Sequence, residues 1–276
     1  ENSRKLVLDC LIGLQHNQTK AGTCAKAIVC CKIKRFDVMA SIDSTNAYLY
    51  DQDPPLPGNL RIVIADEQTA GRGRGDHQWH SPKGGLWLSV AYTFEARPAQ
   101  LSALTLALGA CLADKLRELG VTDIALKWPN DLLVDNRKLG GILVESASSG
   151  QSVVCGVGIN VTTPPDDAIA SGGLFGPAGL SEWLEGPVDR AALLAEVVEC
   201  CADVLLRFGE EGFAPWHKLW SRFDWLRGHS VFVDGAQQTT SGEALGIDAD
   251  GALLLSDNGQ VRRVRSGSIR LAADAS

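Results

Sequence analysis

The chain predicts an α+β fold, a larger domain of strands and helices followed by a small β-barrel, and three observations carry that reading. Apolar runs of strand length recur at 60–65, 85–94 and 152–160. Two longer stretches, 99–119 and 190–208, place their apolar residues at helical spacing. From Gly228 the texture changes to short apolar runs separated by Asp-Gly and Asn-Gly pairs, the signals of tight hairpins. With 276 residues, 45% apolar and 21% charged, the chain has enough material for one sizeable core and a smaller one. The division expected is a tail at 1–35, a main domain at 36–227 and the barrel at 228–276.

Taken in order, residues 1–35 show a short helical pattern at Leu6, Leu8, Leu11, Ile12 and Leu14 and no sustained period, so they are assigned no chemistry. Asp43 or Ser44 is placed to cap a helix that starts at Thr45 and Asn46. Such a cap also offers hydroxyls and amides to a polar ligand group. A Pro-rich surface loop at 51–59 leads to the strand 60–65, an apolar run broken only by Arg61 and so expected to be buried on both faces. After Gln68 the chain reads Ala-Gly-Arg-Gly-Arg-Gly-Asp-His-Gln-Trp from Ala70 to Trp79. Glycines alternating with Arg72 and Arg74 suit neither a stable helix nor a packed strand, so the loop is expected to be mobile when empty. Its guanidinium forks match phosphate or carboxylate oxygens, though a solvated basic loop or a nucleic-acid-binding arm fits the same residues. Trp79 suggests a hinge anchored by a buried ring.

The strand 85–94 reads as alternating, and the helix 99–119 ends at Gly120. In 152–160, Gly156 and Gly158 remove two side chains from one face, leaving room for a ring system or for tight packing of a helix. A Pro- and Gly-rich loop runs over 162–179. Asp189 caps the helix 190–208, and a shorter aromatic helix spans 215–226, with its Trp residues expected in the core. Barrel strands are expected at 231–233, 242–247, 252–256 and 261–264.

The stretch 127–145, KWPNDLLVDNRKLGGILVE, stands apart. Apolar runs at 124–128 and 139–144 flank a connection carrying Asn130, Asp131, Asp135, Asn136, Arg137 and Lys138, which delivers polar groups from strand ends. Pro129 biases Trp128 away from helix and fixes a strand exit before Asn130 and Asp131. Gly140 and Gly141 admit another backbone or a flat ligand. An ordinary hairpin with Asp-Asn turn chemistry accounts for the same residues.

Charge and cysteines narrow the classes. A net charge of −7 counts against coating nucleic acid, although the first 35 residues are locally basic. No run approaches the ~20 apolar residues that span a bilayer, and the start lacks the order of a signal peptide, so no membrane and a cytoplasmic location are expected. The 8 cysteines form no CxxC pair. Cys111, Cys155, Cys200 and Cys201 read as reduced core residues, and Cys10, Cys24, Cys30 and Cys31 have no common zinc spacing.

Together, Asp43-Ser44-Thr45-Asn46, the 71–79 loop, Lys127-Trp128-Pro129-Asn130-Asp131, Arg137-Lys138-Leu139-Gly140-Gly141-Ile142-Leu143 and Gly156-Val157-Gly158-Ile159-Asn160 resemble the biotin protein ligase family, over roughly residues 36–272. The resemblance implies a mixed β-sheet flanked by helices, of the class II synthetase type, with a small C-terminal β-barrel. It implies that Ser44, Thr45, Asn46, Gln68 and Asp131 bind biotin, with Gly141, Gly156 and Gly158 lining it. Arg72, Arg74 and Lys138 serve both biotin and nucleotide, and Trp79, Lys127, Asn130 and Asn160 face the nucleotide. Lys138 and Arg74 are the catalytic candidates, and no protein metal ligand is certain. Two departures stand out. Where the family's loop reads Gly-Arg-Gly-Arg-x-Gly-Arg-x-Trp, this chain has Asp76 and His77, and an acid beside phosphates is unfavourable unless it points away. The winged helix-turn-helix of the family's repressor branch needs more than 35 residues.

The implied chemistry is activation of biotin by ATP and Mg2+ to an adenylate, then transfer to a lysine of a biotin carboxyl carrier protein. Asp131 or another desolvated base is a candidate to deprotonate that lysine. The alternatives are a lipoate or octanoyl ligase, and a biotin-sensing repressor whose sequence-specific DNA binding the acidic charge disfavours. A homodimer is compatible with the sequence.

Overall fold

The computed structural model describes residues 29, 31–75, 77–164, 176–235 and 238–272. The helix expected near the N-terminus, Cys10, Cys24, Cys30, Asp76 and the middle of the 162–179 loop lie outside them.

Seven strands form the main sheet: β1 (Ile33–Met39), β2 (Leu60–Ala65), β3 (Leu86–Thr93), β4 (Ile124–Lys127), β5 (Asp131–Val134), β6 (Arg137–Ser146) and β7 (Ser152–Ile159). Their order is β1-β2-β3-β7-β6-β5-β4. Only β1 and β2 pair in parallel, so the sheet is mixed. The helices are α1 (Thr45–Tyr50), α2 (Leu104–Glu118), α3 (Arg190–Glu211) and α4 (Ala214–Arg222). Side chains of α2, α3 and α4 share the large core with Leu88, Val90, Val157 and Ile142 on one sheet face. On the other face, Leu49 of α1 packs with Val63, Ala91 and Val154.

All eight residues of β3 are therefore buried, and the alternation expected for 85–94 is not realised. Helices cover both faces of that strand, so neither needs to be polar. The helix expected over 99–119 opens with a 3-10 turn at Leu101–Ala103 before α2 begins, and Gly120 follows with φ +111°. The helix α3 continues past Phe208, with Gly209 close against Phe94, and it stops at Gly212 with φ +61°.

Three further expectations are corrected. The polar connection at 129–138 is two hairpins, because Asp131-Leu132-Leu133-Val134 buries enough to pair with strands on both sides. Its second turn, Asp135-Asn136, has φ +48° and +57°, the left-handed pair of a two-residue hairpin. The aromatic helix 215–226 ends at Arg222. Residues 223–225 instead run beside β4, with Leu126 N donating to Phe223 O at 2.7 Å and Trp225 N to Leu126 O at 3.0 Å. That covers a sheet edge which would otherwise present unpaired backbone groups.

The third correction adds a strand. The C-terminal sheet contains β8 (Ser230–Asp234), β9 (Thr239–Ile247), β10 (Leu253–Asp257), β11 (Gln260–Val264) and β12 (Ser268–Leu271), in the order β11-β10-β9-β8-β12. It is antiparallel and barrel-like, and β12 was not expected. With one buried residue, Ile269, β12 carries no apolar signal of its own. This sheet docks through its 248–251 turn: Trp128 Nε1 donates to Gly251 O at 3.0 Å and Gln100 Nε2 to Asp250 Oδ1 at 2.9 Å. A Cβ on Gly251 would stand 2.7 Å from Leu106 of α2, so glycine is required for the approach.

Candidate active site

The uncovered half of the main sheet, beside α1, floors a cavity of about 410 Å³. Ser44, Thr45, Asn46, Gln68, Arg72, Arg74, Trp79, Lys127, Asn130, Asp131, Lys138, Gly141, Gly156, Gly158 and Asn160 all line it. The residues to which the resemblance gives a binding or catalytic role are thus brought to one place.

One end is neutral. Ser44, rather than Asp43, caps α1, its Oγ accepting from Ala47 N at 3.4 Å. Thr45 N donates to Gln68 Oε1 at 2.8 Å, and Thr45 Oγ1 lies 3.0 Å from the same oxygen. Gln68 Nε2 donates to Ser81 Oγ at 2.7 Å. Behind them Ser89, fully buried in β3, places its Oγ 2.7 Å from Thr45 Oγ1 and 2.6 Å from Asn46 Oδ1. Asn46 Nδ2 donates to Glu145 Oε2 at 2.8 Å, and the other oxygen of Glu145 faces Arg72 at 3.5 Å.

The other end is cationic. Lys138 pairs with Asp131 at 2.8 Å, and Lys127 lies 3.9 Å from the same carboxylate. Burial lowers the affinity of Lys127 for its proton, and nearby Lys138 lowers it further while Asp131 opposes. Burial likewise lowers the pKa of Arg74, against the pull of Asp131. Three cations around one carboxylate leave an excess of positive charge suited to an anionic ligand. Lys138 is fixed through its backbone: its N donates to Gly176 O and its O accepts from Ala178 N, each at 2.9 Å. Asn160 Nδ2 donates to Lys138 O and to Ala178 O, so this amide is engaged in holding strand ends.

The glycine floor is occupied by the protein's own side chains. A Cβ on Gly156 would stand 2.3 Å from Asn46 Oδ1, and one on Gly158 2.7 Å from Trp79 Nε1. Gly141 faces the same indole at 3.5 Å. Trp79 is also packed edge-on against Trp87, with ring centroids 6.5 Å apart, and Lys138 Nζ sits 5.1 Å from its ring centre. The loop before it is folded as a small hairpin: Trp79 N donates to Gly71 O at 2.8 Å and Gly73 N to His77 O at 2.7 Å.

Sequence reasoning missed several contributors. Asp234 and residues 267–270 of the C-terminal sheet also line the cavity, and Arg74 Nη1 donates to Gly267 O at 3.2 Å. Nothing local marks them, since the fold-back of the second sheet brings them there. Ser81 and Glu145 carry no local signal either. Ser89 did have one, because a small hydroxyl flanked by apolar residues in mid-strand needs a partner.

Comparison with known proteins bears on this geometry. The Biotin/lipoate A/B protein ligase family matches residues 38–160, and the Biotin protein ligase C terminal domain matches residues 231–271. The Bifunctional ligase/repressor BirA of Escherichia coli (strain K12) is 35% identical over 241 residues, covering 85% of this chain and 73% of that protein. The Biotin--[acetyl-CoA-carboxylase] ligase of Paracoccus denitrificans is 33% identical over 233 residues, 79% of this chain and 92% of the relative. The solved structure of biotin protein ligase from Aquifex aeolicus in complex with biotin and ATP matches with a TM-score of 0.72 at 26% identity, over 86% of this chain and 98% of that one.

Proposed function

The chain belongs to the biotin protein ligase family, and on that premise we propose how its cavity divides the work of an ATP-dependent ligase. The observation that carries the assignment is the meeting, in one cavity, of a neutral hydrogen-bonding end and a cluster of cations. In this reading Ser44, Thr45, Asn46 and Gln68 hold the ureido ring of biotin, and Gly141, Gly156 and Gly158 keep the strands low enough for Trp79 and Asn46 to form its walls. The carboxylate of biotin then points to Arg72, Arg74, Asp131 and Lys138.

The first half reaction joins a biotin carboxylate oxygen to the α-phosphorus of ATP and breaks the bond to pyrophosphate. Negative charge builds on the phosphate oxygens, and Arg74, Lys138 and Lys127 are the groups of this chain that stabilise it. Asn130 and Asn160 act through the backbone: Asn130 O accepts from Ile142 N at 3.0 Å, and Asn160 Nδ2 binds Lys138 O at 3.3 Å. Trp79 closes the nucleotide side. In the second half reaction the ε-amine of a carrier-domain lysine attacks the acyl carbon and AMP leaves, with Asp131, a carboxylate lining the cavity, the candidate to take up the proton of the amine.

The magnesium ion enters as part of MgATP. Among the described residues no three His, Cys, Asp or Glu side chains gather to hold a metal. Asp131 is already committed to Lys138, so the protein alone does not form a cage for the ion. In the same reading a carrier domain is the acceptor, the cytoplasm is the setting, and the main domain and barrel divide near Arg227. No helix among the described residues is long and apolar enough to cross a membrane.

A lipoate or octanoyl ligase and a DNA-binding repressor are not favoured. The neutral end is lined by polar acceptors rather than shaped as an apolar slot, and a net charge of −7 opposes phosphate-backbone binding. Incubation with biotin, MgATP and a carrier domain, followed by intact mass measurement, tests the assignment. The acceptor gains the mass of one biotinyl group, and an unchanged acceptor mass overturns it.

A further inference from the structure

At the neutral end, hydroxyl hydrogens can be counted. Asn46 Oδ1, Ser89 Oγ, Thr45 Oγ1 and Gln68 Oε1 form a row with successive separations of 2.6, 2.7 and 3.0 Å. The two outer atoms are amide oxygens, which only accept, and the two inner atoms are hydroxyls with one hydrogen each. Three close oxygen contacts thus share two hydrogens. The row is one donor short, and all its members except Ser89 line the cavity.

Rotation of either terminal amide would supply the missing hydrogens, and both are held. Gln68 must keep its oxygen toward α1, because Thr45 N donates to it at 2.8 Å while Gln68 Nε2 donates to Ser81. Asn46 must keep its nitrogen away, because Nδ2 donates to Glu145 Oε2 at 2.8 Å and to Leu143 O at 3.4 Å. An ionised carboxylate can only accept, so Glu145 prevents the amide from turning.

We propose that Glu145 is a positioning residue whose carboxylate locks Asn46, keeps this row one hydrogen short, and so sets the cavity to select ligands that bring N–H donors. The inference rests on the biotin reading and deepens it, since the ureido ring of biotin carries two N–H groups. Oxygen in place of nitrogen gives a ligand of nearly the same shape that deepens the shortage, and a site built this way rejects it far more strongly than size alone would.

The test compares biotin with its cyclic carbonate isostere, in which each ureido N–H is replaced by a ring oxygen, using calorimetry on the full chain. The wild-type protein prefers biotin by on the order of 10⁴. Glu145→Gln offers Asn46 an acceptor or a donor, leaves only the longer contact with Leu143 O to hold the amide, and lowers that preference about tenfold or more. Ser89→Ala raises it instead, because Asn46 Oδ1 then loses its hydroxyl donor and depends the more on an N–H from the ligand. Loss of Arg72 pairing in Glu145→Gln weakens both ligands alike and cancels in the ratio. If both variants bind biotin and keep the wild-type ratio, or if the wild type binds the two ligands equally, the proposal is overturned. A wild-type protein that binds neither ligand overturns the biotin reading instead.

Discussion

The two ends of the cavity are held in different ways. At the neutral end, side chains fix one another: Thr45, Asn46, Gln68, Ser81, Ser89 and Glu145 form a hydrogen-bonded chain drawn from α1, two loops and two strands. At the cationic end the backbone does the holding, with Lys138 bonded through its N and O to residues 176–178 and Arg74 tied to the main chain at Gly267. A network of side chains gives a fixed pattern of donors and acceptors, which suits recognition of a neutral ring. Flexible cations on an anchored backbone can follow charge as it develops, which suits a reaction centre.

That contrast can be broken at either end. The largest effect is expected from Lys138→Ala, which removes a cation and leaves Asp131 without its close partner. Adenylate formation from radiolabelled ATP should fall by about 10² or more, with circular dichroism unchanged. Arg74→Gly should come next, accelerating release of labelled biotinyl-adenylate roughly 10-fold or more, the effect of losing one charge-assisted contact. Wild-type rates in both variants would remove the cationic end from the mechanism. Gly156→Ala strikes the neutral end, where the new methyl meets Asn46 Oδ1. Overpacking of about 1–3 kcal/mol should weaken biotin binding while ATP binding measured alone stays the same.

The same contrast explains what the sequence disclosed. Lys138, Arg74, Asp131 and the glycines were legible because each sits in a short motif where polar residues or glycines interrupt apolar runs. Glu145 and Ser81 were not, since their roles depend on partners distant in sequence. β5 and β12 were missed because each has only four residues and opens on a polar one. The aromatic helix was drawn too long because Phe223 and Trp225 continue an apolar pattern after the chain has left the helix to line β4.

The smallest effect concerns the linker between the sheets. Asp224 has a buried Oδ2 with no partner among the described residues, and burial raises its pKa to about 6. The folded state therefore holds this proton at pH values where the unfolded chain, with its ordinary value of 3.8, has released it. Stability falls as pH rises between those values, and the penalty stays constant above them. Asp224→Asn should raise the melting temperature at pH 8 and leave it unchanged at pH 4. An equal shift at both pH values would assign the effect to packing.

Next to that carboxylate, Trp225 Nε1 donates at 2.7 Å to Asn136 Oδ1, on the turn that opens β6 two residues before Lys138. His229 stacks on the same indole, 4.6 Å between ring centres, just where the chain enters the second sheet. The connector is thus a mechanical strut against the hairpin that presents the reactive lysine. A rearrangement of either sheet that reaches this strut would alter the surroundings of Trp225, so that the difference in emission between the wild type and a Trp225→Phe variant reports on it from outside the cavity.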